Sequence, residues 1–369
     1  MLTGDDATCA GTVTARRSLA RRTLVEAAAA LPSVPMSLAP AARELGFASA
    51  KCVVTGGLGF IGSNLVHALL DQGAGVHVID ARIPDHGADD ANLAGLDVAL
   101  LVASIDDPAV ADVCADASYI FNVAGQVSHV ASMRDPQRDL LLNATSHAAF
   151  LETVRSVSPQ ARLVYTSTRQ VYGRPVRVPV DESHPTHPVD VNGVAKLAGE
   201  QLHMVYGHVY DLAVTSLRLT NVYGPRQRLT SDELGFLPVF LRRAMCDEVI
   251  EIFGDGSQRR DCLHVDDVVD ALLFAARDDN AIGEIYNVGS PIDQSLREIA
   301  ELIVELSGSS GGIQLTPWPA DHAKIDVGSV HVDASKIEAL GWTSRIDMRT
   351  GLGRTIDFYR EFPWYLSSI

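Results

Sequence analysis

A glycine-rich turn near the start of this 369-residue chain constrains its fold more than any other feature. The segment VVTGGLGFIGSNL places Gly57, Gly59 and Gly62 at the spacing G-x-G-x-x-G, and Gly56 adds an overlapping repeat. A β-branched run precedes the glycines, and an apolar helical period follows them. Glycines at this spacing permit a tight turn, let the backbone approach a pyrophosphate and let the helix pack on the strand. The turn therefore predicts a dinucleotide site between a strand and a helix N-terminus.

An acidic residue at the end of the next predicted strand supports this interpretation. Asp80 closes the segment GVHVID, where a carboxylate can accept hydrogen bonds from both ribose hydroxyls of adenosine. Such a carboxylate repels a 2′-phosphate, so the sequence favours NAD over NADP as the cofactor. Arg82 lies close by and weakens that preference. Taken alone, Asp80 could also be an ordinary surface carboxylate at a strand end.

Strand and helix patterns alternate along most of the chain after Lys51. VALLVAS, ASYIFNVAG, RLVYTST and LAVTSLRL are predicted strands, with helices at about 134–157 and 190–208 between the later ones. This alternation predicts an α/β fold, a Rossmann-type doubly wound parallel sheet with a smaller mixed α/β C-terminal substrate domain. The expected parts are an N-terminal extension at 1–48, helical or disordered, an NAD-binding domain at 49–226 and a mainly substrate-binding region at 227–369.

Charge and composition restrict the class of partner. The formal net charge of −16 argues against nucleic acid or an anionic membrane surface, and no long Lys/Arg run reverses it. Every apolar run is shorter than the roughly 18 residues that a membrane span needs. The 5 cysteines form no CxxC pair and show no metal-ligand spacing, which predicts reduced thiols and no metal site. We therefore expect a cytoplasmic protein whose partner is a small molecule.

Several ordered motifs give the chain from Lys51 onwards a resemblance to a known family. The motifs include TGGLGFIGSNL, NVAGQVS, VYTSTRQVYG, GVAKLAGEQL, SLRLTNVYGPR and IFGDGSQRRDCLHVDDVVDAL. In order and spacing they resemble the extended short-chain dehydrogenase/reductases, and within them the NAD-dependent nucleotide-sugar epimerases and dehydratases typified by UDP-glucose 4-epimerase. The resemblance implies an enzyme that binds NAD and a nucleotide sugar. Because the family usually dimerises through two helices per subunit, here 134–157 and 190–208, it also implies a homodimer.

The resemblance implies roles for residues that match the family's motifs. Thr168 matches the residue that hydrogen-bonds the sugar hydroxyl to be oxidised, and Lys196 matches the lysine that holds the nicotinamide ribose. Asn221 and Arg260 match positions that bind the nucleotide-sugar diphosphate, and a guanidinium pairs phosphate oxygens bidentately. Taken singly, the substrate-side residues could instead end a strand, cap a turn or be solvated. Contacts with the cofactor are implied for Gly56, Gly59, Phe60, Ile61, Gly62, Asp80, Ser104, Ile105, Ala124, Gly125, Gln126, Asn143 and Lys196.

Two positions depart from the family at contacts to the nucleotide. Ser104 stands where the family commonly has an aspartate that contacts the adenine, and a serine hydroxyl can still accept a hydrogen bond. The arginine expected on the substrate side before VDASK has no clear equivalent, and Lys324 is the nearest cation. The identity of the nucleotide sugar therefore stays open.

The two residues after Thr168 separate the chain from the dehydratases and decarboxylases that it resembles. Dehydratases carry Asp-Glu where this chain has Arg169 and Gln170, and decarboxylases keep a Glu at the second place. Epimerases need neither acid, because oxidation, rotation and re-reduction of a keto-sugar require only NAD and one acid/base. We therefore expect an epimerase, with a nucleotide-sugar oxidoreductase, decarboxylase or dehydratase of altered acid/base chemistry as the alternative. Arg169 could bind a substrate carboxylate or be a surface arginine.

The segment PVDVNGVAK departs from the family at the residue that moves the proton. Pro188, Gly193 and Lys196 set the register, so that Asn192 takes the place of the catalytic tyrosine. A phenol can accept the hydroxyl proton once a nearby lysine lowers its pKa, whereas an amide has no titration near neutrality. The acid/base group of this chain must therefore be sought elsewhere, if the reaction needs one.

Three explanations follow from Asn192. In the first, Lys196, Asp190 or His129 carries the proton. In the second, the substrate already has a ketone or an acidic proton, and in the third the protein only binds NAD or a sugar nucleotide. Asp190 could equally cap a helix, and His129 could be structural. Because Lys196 and Thr168 are retained, we favour an enzyme over an inert binding protein.

Overall fold

The computed structural model of the chain describes residues 46–83, 86–230 and 235–366, without side chains at 320–322. Apart from 46–48, the expected N-terminal extension lies outside the described residues, as does Cys9. The strands are β1 (Lys51–Thr55), β2 (Gly75–Asp80), β3 (Ala99–Val102), β4 (Tyr119–Asn122), β5 (Arg162–Thr168), β6 (Ala213–Leu219), β7 (Asn221–Tyr223), β8 (Ile250–Phe253), β9 (Arg259–His264), β10 (Ile285–Val288), β11 (Asp293–Ser295) and β12 (Ile313–Thr316). The α-helices are α1 (Phe60–Asp71), α2 (Val110–Cys114), α3 (His129–Arg134), α4 (Pro136–Leu140), α5 (Ser146–Val157), α6 (Val191–Tyr210), α7 (Phe236–Met245), α8 (Val265–Arg277), α9 (Leu296–Ser307), α10 (Ala320–Ile325), α11 (Ser335–Glu338) and α12 (Met348–Glu361).

The larger sheet has seven parallel strands in the order β10-β6-β5-β4-β1-β2-β3. Residues of β1 and β4 are buried almost throughout, as expected for central strands covered by helices on both faces. The strand order reverses between β1 and β4, and ligands bind at such a reversal, beyond the carboxyl ends of the strands. The predicted Rossmann-type sheet is confirmed, and this crevice is where the glycine turn lies.

A smaller region packs beside this sheet. It contains a three-stranded sheet in the order β11-β9-β7, with one parallel and one antiparallel pair, and the parallel pair β12-β8. Leu241 of α7, Ile299 and Ile303 of α9 and Ile356 of α12 are buried together in its core. The prediction of a smaller mixed α/β region is therefore confirmed.

The smaller region and the larger sheet share the C-terminal part of the chain. β10 pairs with β6 at the edge of the larger sheet, with Ile285 opposite Ser216. The buried side chains of α8 belong to the same core as Leu65 and Leu69 of α1. The segment 227–369 therefore also completes the unit that carries the glycine turn.

The predicted helix at 134–157 is divided in the structure. α3 ends at Arg134, and α4 starts at Pro136 with Asp135 as its N-cap, whose carboxylate accepts a hydrogen bond from Arg138 N at 3.1 Å. Proline has no N–H to continue the preceding helix, so a new helix begins there. A π-helical turn at Leu141–Thr145 then leads into α5. The predicted helix at 190–208 is continuous and extends to Tyr210, where Asp211 ends it in the left-handed region at φ 57°.

No helix in the described part of the chain is both long enough and apolar enough to span a membrane.

Candidate active site

The glycine turn is compressed between β1, β4 and α1. Gly56 has φ +69°, and a Cβ atom there would lie 2.9 Å from the Cα of Ala124 at the end of β4. A Cβ atom at Gly62, within the first turn of α1, would lie only 2.2 Å from the carbonyl oxygen of Gly56. Real Cβ atoms do not approach backbone this closely, so the turn accepts only glycine at these positions. The backbone at the N-terminus of α1 consequently faces the crevice, as a pyrophosphate requires.

A cleft runs along the carboxyl ends of the central strands. Ten of the residues predicted to contact the cofactor line it, which are Gly56, Gly59, Phe60, Ile61, Gly62, Asp80, Ser104, Ile105, Ala124 and Gly125. The sequence did not single out several others that line the same cleft, among them Ile83, His86, Val127, Leu142, Ser146, Gln227 and Arg228. Gln227 and Arg228 directly follow the motif NVYGPR, and only that proximity could have suggested them.

The Asp80 carboxylate is fixed at the end of β2. Its Oδ2 accepts a hydrogen bond from Leu58 N at 3.1 Å, and its Oδ1 accepts one from Arg82 N at 2.8 Å. Burial raises the pKa of Asp80, and these two N–H groups limit the rise. The Arg82 guanidinium lies 2.7 Å from Asp90. Asp90 therefore gives the Arg82 guanidinium a carboxylate partner on the protein.

The loop after β4 joins the cleft to α6. Gln126 N donates to Asn143 Oδ1 at 3.0 Å, and Asn143 Nδ2 donates back to Gln126 O at 3.1 Å. A Cβ atom at Gly125 would lie 2.7 Å from Asn143 Oδ1 and 3.1 Å from Lys196 Nζ. The absence of a side chain at Gly125 thus lets the Lys196 ammonium approach the end of the cleft. Gln126, Asn143 and Lys196 themselves lie behind the lining residues.

Lys196 is a buried cation on α6. Its Nζ donates to Thr166 O at 3.0 Å and lies 5.1 Å from the centre of the Tyr165 ring. Burial lowers the pKa of Lys196 to about 8, although the carboxylates of Asp139 and Glu200 favour the charged form. Such a lysine can change its charge close to physiological pH.

The Asn192 side chain is buried, and its amide nitrogen contacts other protein groups. Its Nδ2 donates to Gln126 O at 2.9 Å and to Gln126 Oε1 at 3.0 Å, and it lies 3.3 Å from Asp139 Oδ2. Burial raises the pKa of Asp139, and its hydrogen bonds from Asn143 and Asn192 limit the rise. The sequence did not single out Asp139, whose place within the motif DPQRDLLLN was its only signal.

His129 and Asp190 come together although they are far apart in the sequence. Nδ1 of His129 lies 2.8 Å from Asp190 Oδ2, while Asp190 Oδ1 caps α6 by accepting from Gly193 N at 2.7 Å. Nε2 of His129 lies 2.9 Å from Gln170 Nε2. Gln170 N in turn donates to Thr168 Oγ1 at 3.2 Å. A chain of contacts therefore leads from Asp190 through His129 and Gln170 to Thr168.

Arg169 is buried rather than a surface side chain. Its Nη2 donates to Asn221 Oδ1 at 3.0 Å, and Asn221 Nδ2 donates to Asp261 O at 3.3 Å. Burial and the positive charge of Arg260 lower the pKa of Arg169 to about 10, and the Asp261 carboxylate opposes them. The alternative of a surface arginine is therefore wrong, because Arg169 is only 7% exposed and its guanidinium contacts Asn221 of β7.

Arg260 lies near Arg169 and is also largely buried. Its Nη1 donates to the carbonyl oxygens of Arg259 and Gly328, and its Nη2 lies 3.6 Å from Asp326 Oδ1. Arg260 on β9 is therefore close enough for its positive charge to act on Arg169 in the turn after β5. Lys324, the cation nearest to the missing arginine in sequence, is exposed.

Residues 52–289 match the NAD dependent epimerase/dehydratase family. The UDP-glucose 4-epimerase of Mycolicibacterium smegmatis is 31% identical over 320 residues, which are 84% of this chain and 99% of that protein. The crystal structure of UDP-glucose 4-epimerase from Thermotoga maritima with UDP-glucose is similar with a TM-score of 0.78 and 31% identity, and the match covers 85% of this chain and 99% of that one. The UDP-glucose 4-epimerase of Thermus thermophilus in complex with NAD gives a TM-score of 0.75 at 28% identity and covers 84% and 99% of the two chains.

Proposed function

Because the chain belongs to the NAD-dependent epimerase/dehydratase family, we propose that it epimerises a nucleotide sugar through a transient keto-sugar. One observation carries this proposal: the cleft beside the glycine turn ends next to Lys196, which approaches through the gap left by Gly125. The cofactor region and a chargeable group therefore meet at one place. This is the arrangement that reversible oxidation of a hydroxyl requires.

The residues of the cleft fit NAD. The glycines at 56, 59 and 62 leave room for a pyrophosphate, and Asp80 is fixed where an adenosine ribose would meet a carboxylate. The nicotinamide of NAD held in this cleft would supply the acceptor and later the donor of the hydride. Ser104 and Ile105 would contact the adenine side, and Lys196 the nicotinamide ribose.

Two side chains would act on the reacting sugar. Thr168 is the last residue of β5, at the carboxyl end of the strand, and its hydroxyl would hydrogen-bond the sugar oxygen that loses its proton. The Lys196 ammonium would hold the ribose and stabilise negative charge that develops on that oxygen. Because burial lowers the pKa of Lys196, its side chain can gain or lose a proton when a substrate binds.

The paired guanidinium groups of Arg169 and Arg260 would bind the diphosphate of the substrate, together with Asn221. Two buried cations that repel each other are stabilised by an anion placed between them. Arg169 would thereby supply the second cation that the sequence lacks before VDASK. A sugar carboxylate is the other anion that this pair could bind.

The contacts of Gln170 also help to distinguish epimerisation from dehydration and decarboxylation. Gln170 contacts His129 and Thr168 at the place where dehydratases and decarboxylases would need an acid. An amide cannot protonate a leaving hydroxyl, so the site favours epimerisation over elimination. The non-catalytic alternative, a protein that only binds NAD or a sugar nucleotide, remains an outcome of the test below.

The proposal is tested with purified protein and four probes: UDP-glucose, UDP-glucuronate, dTDP-glucose and GDP-mannose. We expect NAD(H) to be released on denaturation or excess NAD to raise the melting temperature, and at least one probe to yield its epimer by chromatography. Retained binding without turnover would support the non-catalytic alternative, and no NAD effect would contradict the proposed function. Arg169→Gln should weaken UDP binding about tenfold or more in calorimetry, since a charge-assisted bond is lost. Arg259→Gln, at a neighbouring arginine 43% exposed, is its control.

We further propose that the protein forms a homodimer. α6 exposes Val194, Val205 and Val209, which share one face of the helix by their spacing. Met133, Leu140 and Leu141 are exposed on the segment that the family pairs with this helix. Clustered exposed apolar side chains are typical of an interface between subunits.

A cytoplasmic location is proposed from the cysteines. Cys52, Cys114, Cys246 and Cys262 are all free thiols, and three of them are buried. Reduced thiols are typical of the cytosol. Fractionation of the source cells would test this, and recovery outside the cytoplasmic fraction would contradict it.

A further inference from the structure

The position of the family's tyrosine cannot supply the proton carrier in this chain. The Asn192 amide has no titratable proton near neutrality, and its Nδ2 already contacts Gln126 and Asp139. Its burial, at 2% exposure, keeps this arrangement away from solvent. A proton carrier must therefore come from another side chain near Thr168.

The pair formed by His129 and Asp190 is connected to Thr168 through Gln170, whose side chain contacts His129 and whose backbone N–H donates to Thr168 Oγ1. His129 is the first residue of α3 and Asp190 is the N-cap of α6, so both are held by the starts of packed helices. Their contact, Nδ1 to Oδ2 at 2.8 Å, joins an imidazole 31% exposed to a carboxylate 2% exposed. The buried carboxylate thus orients the ring, while part of the ring still faces the solvent.

Hydrogen bonding defines which nitrogen of His129 can act as a base. Burial raises the pKa of Asp190, but the hydrogen bond and charge of His129 and the bond from Gly193 N outweigh it, so the pKa lies below its usual value. His129 is charged after it has taken up a proton; in the neutral ring, a proton on Nδ1 would face Asp190 Oδ2 at 2.8 Å and leave the lone pair on Nε2. Gln170 Nε2 lies 2.9 Å from that atom and donates to it. A substrate hydroxyl that reaches Nε2 would replace the Gln170 amide as the hydrogen-bond donor to this atom.

Other charged groups also face the pair. From α6 come Asp190 itself and Lys196, from α4 comes Asp139, and from the turn after β5 comes Arg169. Arg169 acts on Asp190 and favours its ionised form, while Asp139 and Asp190 repel each other. The carboxylate in direct contact with His129 is Asp190, so its charge acts on the imidazole at the shortest distance.

We propose that His129, oriented by Asp190, is the proton carrier that replaces the tyrosine, an inference that rests on the proposed epimerase function. The O–H bond of the sugar hydroxyl breaks, its proton forms an N–H bond at Nε2, and the carbonyl forms as the hydride passes to NAD. In the return step the hydride comes back to the opposite face, and Nε2–H gives the proton to the oxygen. Protons and electrons balance over the cycle. Asp190 and Gln170 are positioning residues.

The test uses two conservative variants and a matched control in the full-length protein. His129→Gln keeps a hydrogen bond to Asp190 but cannot titrate, and Asp190→Asn keeps the N-cap without the charge. His187→Ala, at an exposed histidine in the adjoining loop, controls for the loss of a histidine. Each variant is measured for kcat, KM, bound NAD and melting temperature with the four probes named above.

We expect His129→Gln to lower kcat by about 10²- to 10⁴-fold, the usual contribution of a general base, with KM and NAD content retained. Asp190→Asn should lower kcat less and leave KM unchanged, since the ring then loses the charged group that orients it but keeps Nε2. The imidazole proton signal that His129→Gln removes should shift in the NMR spectrum of wild-type protein when the active probe is added.

Three results would overturn the proposal. If wild-type protein turns over a probe and His129→Gln keeps the full rate, the pair is not the proton carrier, although the epimerase function stands. If wild-type protein binds every probe without turnover, the proposed function fails and the proton carrier fails with it. An unmoved imidazole signal at saturating probe would place His129 away from the substrate and also contradict the proposal.

Discussion

Asn192 and Lys196 lie about one turn apart on the same helix. In the family, the residues at these two positions act together in proton transfer and ribose binding, whereas here their side chains have different surroundings. Asn192 is held by the loop at Gln126, so the loop after β4 is fixed to α6 without a tyrosine. Lys196 keeps the position beside Gly125. The cation can therefore still hold a ribose, while proton transfer is free to use another residue.

The buried Lys196 ammonium should make the stability of the fold depend on pH. Its pKa is lowered by burial from 10.5 to about 8, so the folded protein binds its proton less tightly than the unfolded chain. Below pH 8 this destabilises the fold by about 3 kcal/mol, and the cost disappears as the pH rises to the unfolded value. Lys196→Met should therefore be inactive but more stable at pH 7, by about 2 kcal/mol after loss of the bond to Thr166.

Urea unfolding of both proteins at pH 7 and at pH 10.5 measures this difference. The advantage of Lys196→Met should shrink at the higher pH, because the folded wild-type amine is then neutral and half of the unfolded amines have also lost the proton. Lys324→Met, at an exposed lysine, should show no such pH-dependent difference. A destabilised Lys196→Met at pH 7 would mean that the contacts with Thr166 and Tyr165 outweigh the desolvation of the ammonium.

At the scale of elements, the contact between the glycine turn and α1 determines whether the cleft can form. The helix starts directly after Gly59 and buries Leu65, Val66 and Leu69 against the sheet. The turn can bring α1 this close only because Gly62 presents no side chain to the Gly56 carbonyl. Packing of the helix and access for a pyrophosphate therefore depend on the same residue.

Gly62→Ala tests this dependence. A methyl group 2.2 Å from Gly56 O must displace either the turn or the helix, because both neighbours are backbone. We expect NAD binding to be lost in calorimetry and the free energy of unfolding to fall by about 1–3 kcal/mol. Gly353→Ala is the matched control, since Gly353 lies inside α12 with no atom within 4 Å of an added Cβ. That change should leave NAD binding intact and stabilise the protein by up to about 1 kcal/mol.

The whole molecule is tied together by contacts between distant parts of the chain. Tyr365 near the C-terminus donates to Asn92 Oδ1, and Arg226 Nη1 donates to Asn64 Oδ1 at 2.8 Å. Glu200 of α6 forms a buried ion pair with Arg218 of β6. The helix that carries Lys196 is thus anchored to the sheet independently of any ligand.

The proposed homodimer can be tested at the exposed apolar face of α6. Val205 is 50% exposed in the middle of the apolar face of α6, so Val205→Asp would place a carboxylate inside the interface. Light scattering after size exclusion should then give a mass near the 39.5 kDa of one chain, and about twice that for wild type. Ile292→Asp changes a side chain that is 67% exposed elsewhere and should stay dimeric. A monomeric wild type at micromolar concentration would contradict the proposal.

The parallel sheet, the glycine turn and the preference for NAD could be predicted from the sequence, because they depend on local spacing and on residue type, which set backbone geometry over a few neighbouring residues. The replacement of the catalytic tyrosine by Asn192 followed from the resemblance to the family. The contact of Asp190 with His129, the burial of Arg169 and the pairing of β10 with the larger sheet could be found only in the structure. Such pairings join residues from separate elements, and their distances depend on how helices and strands pack rather than on any local pattern.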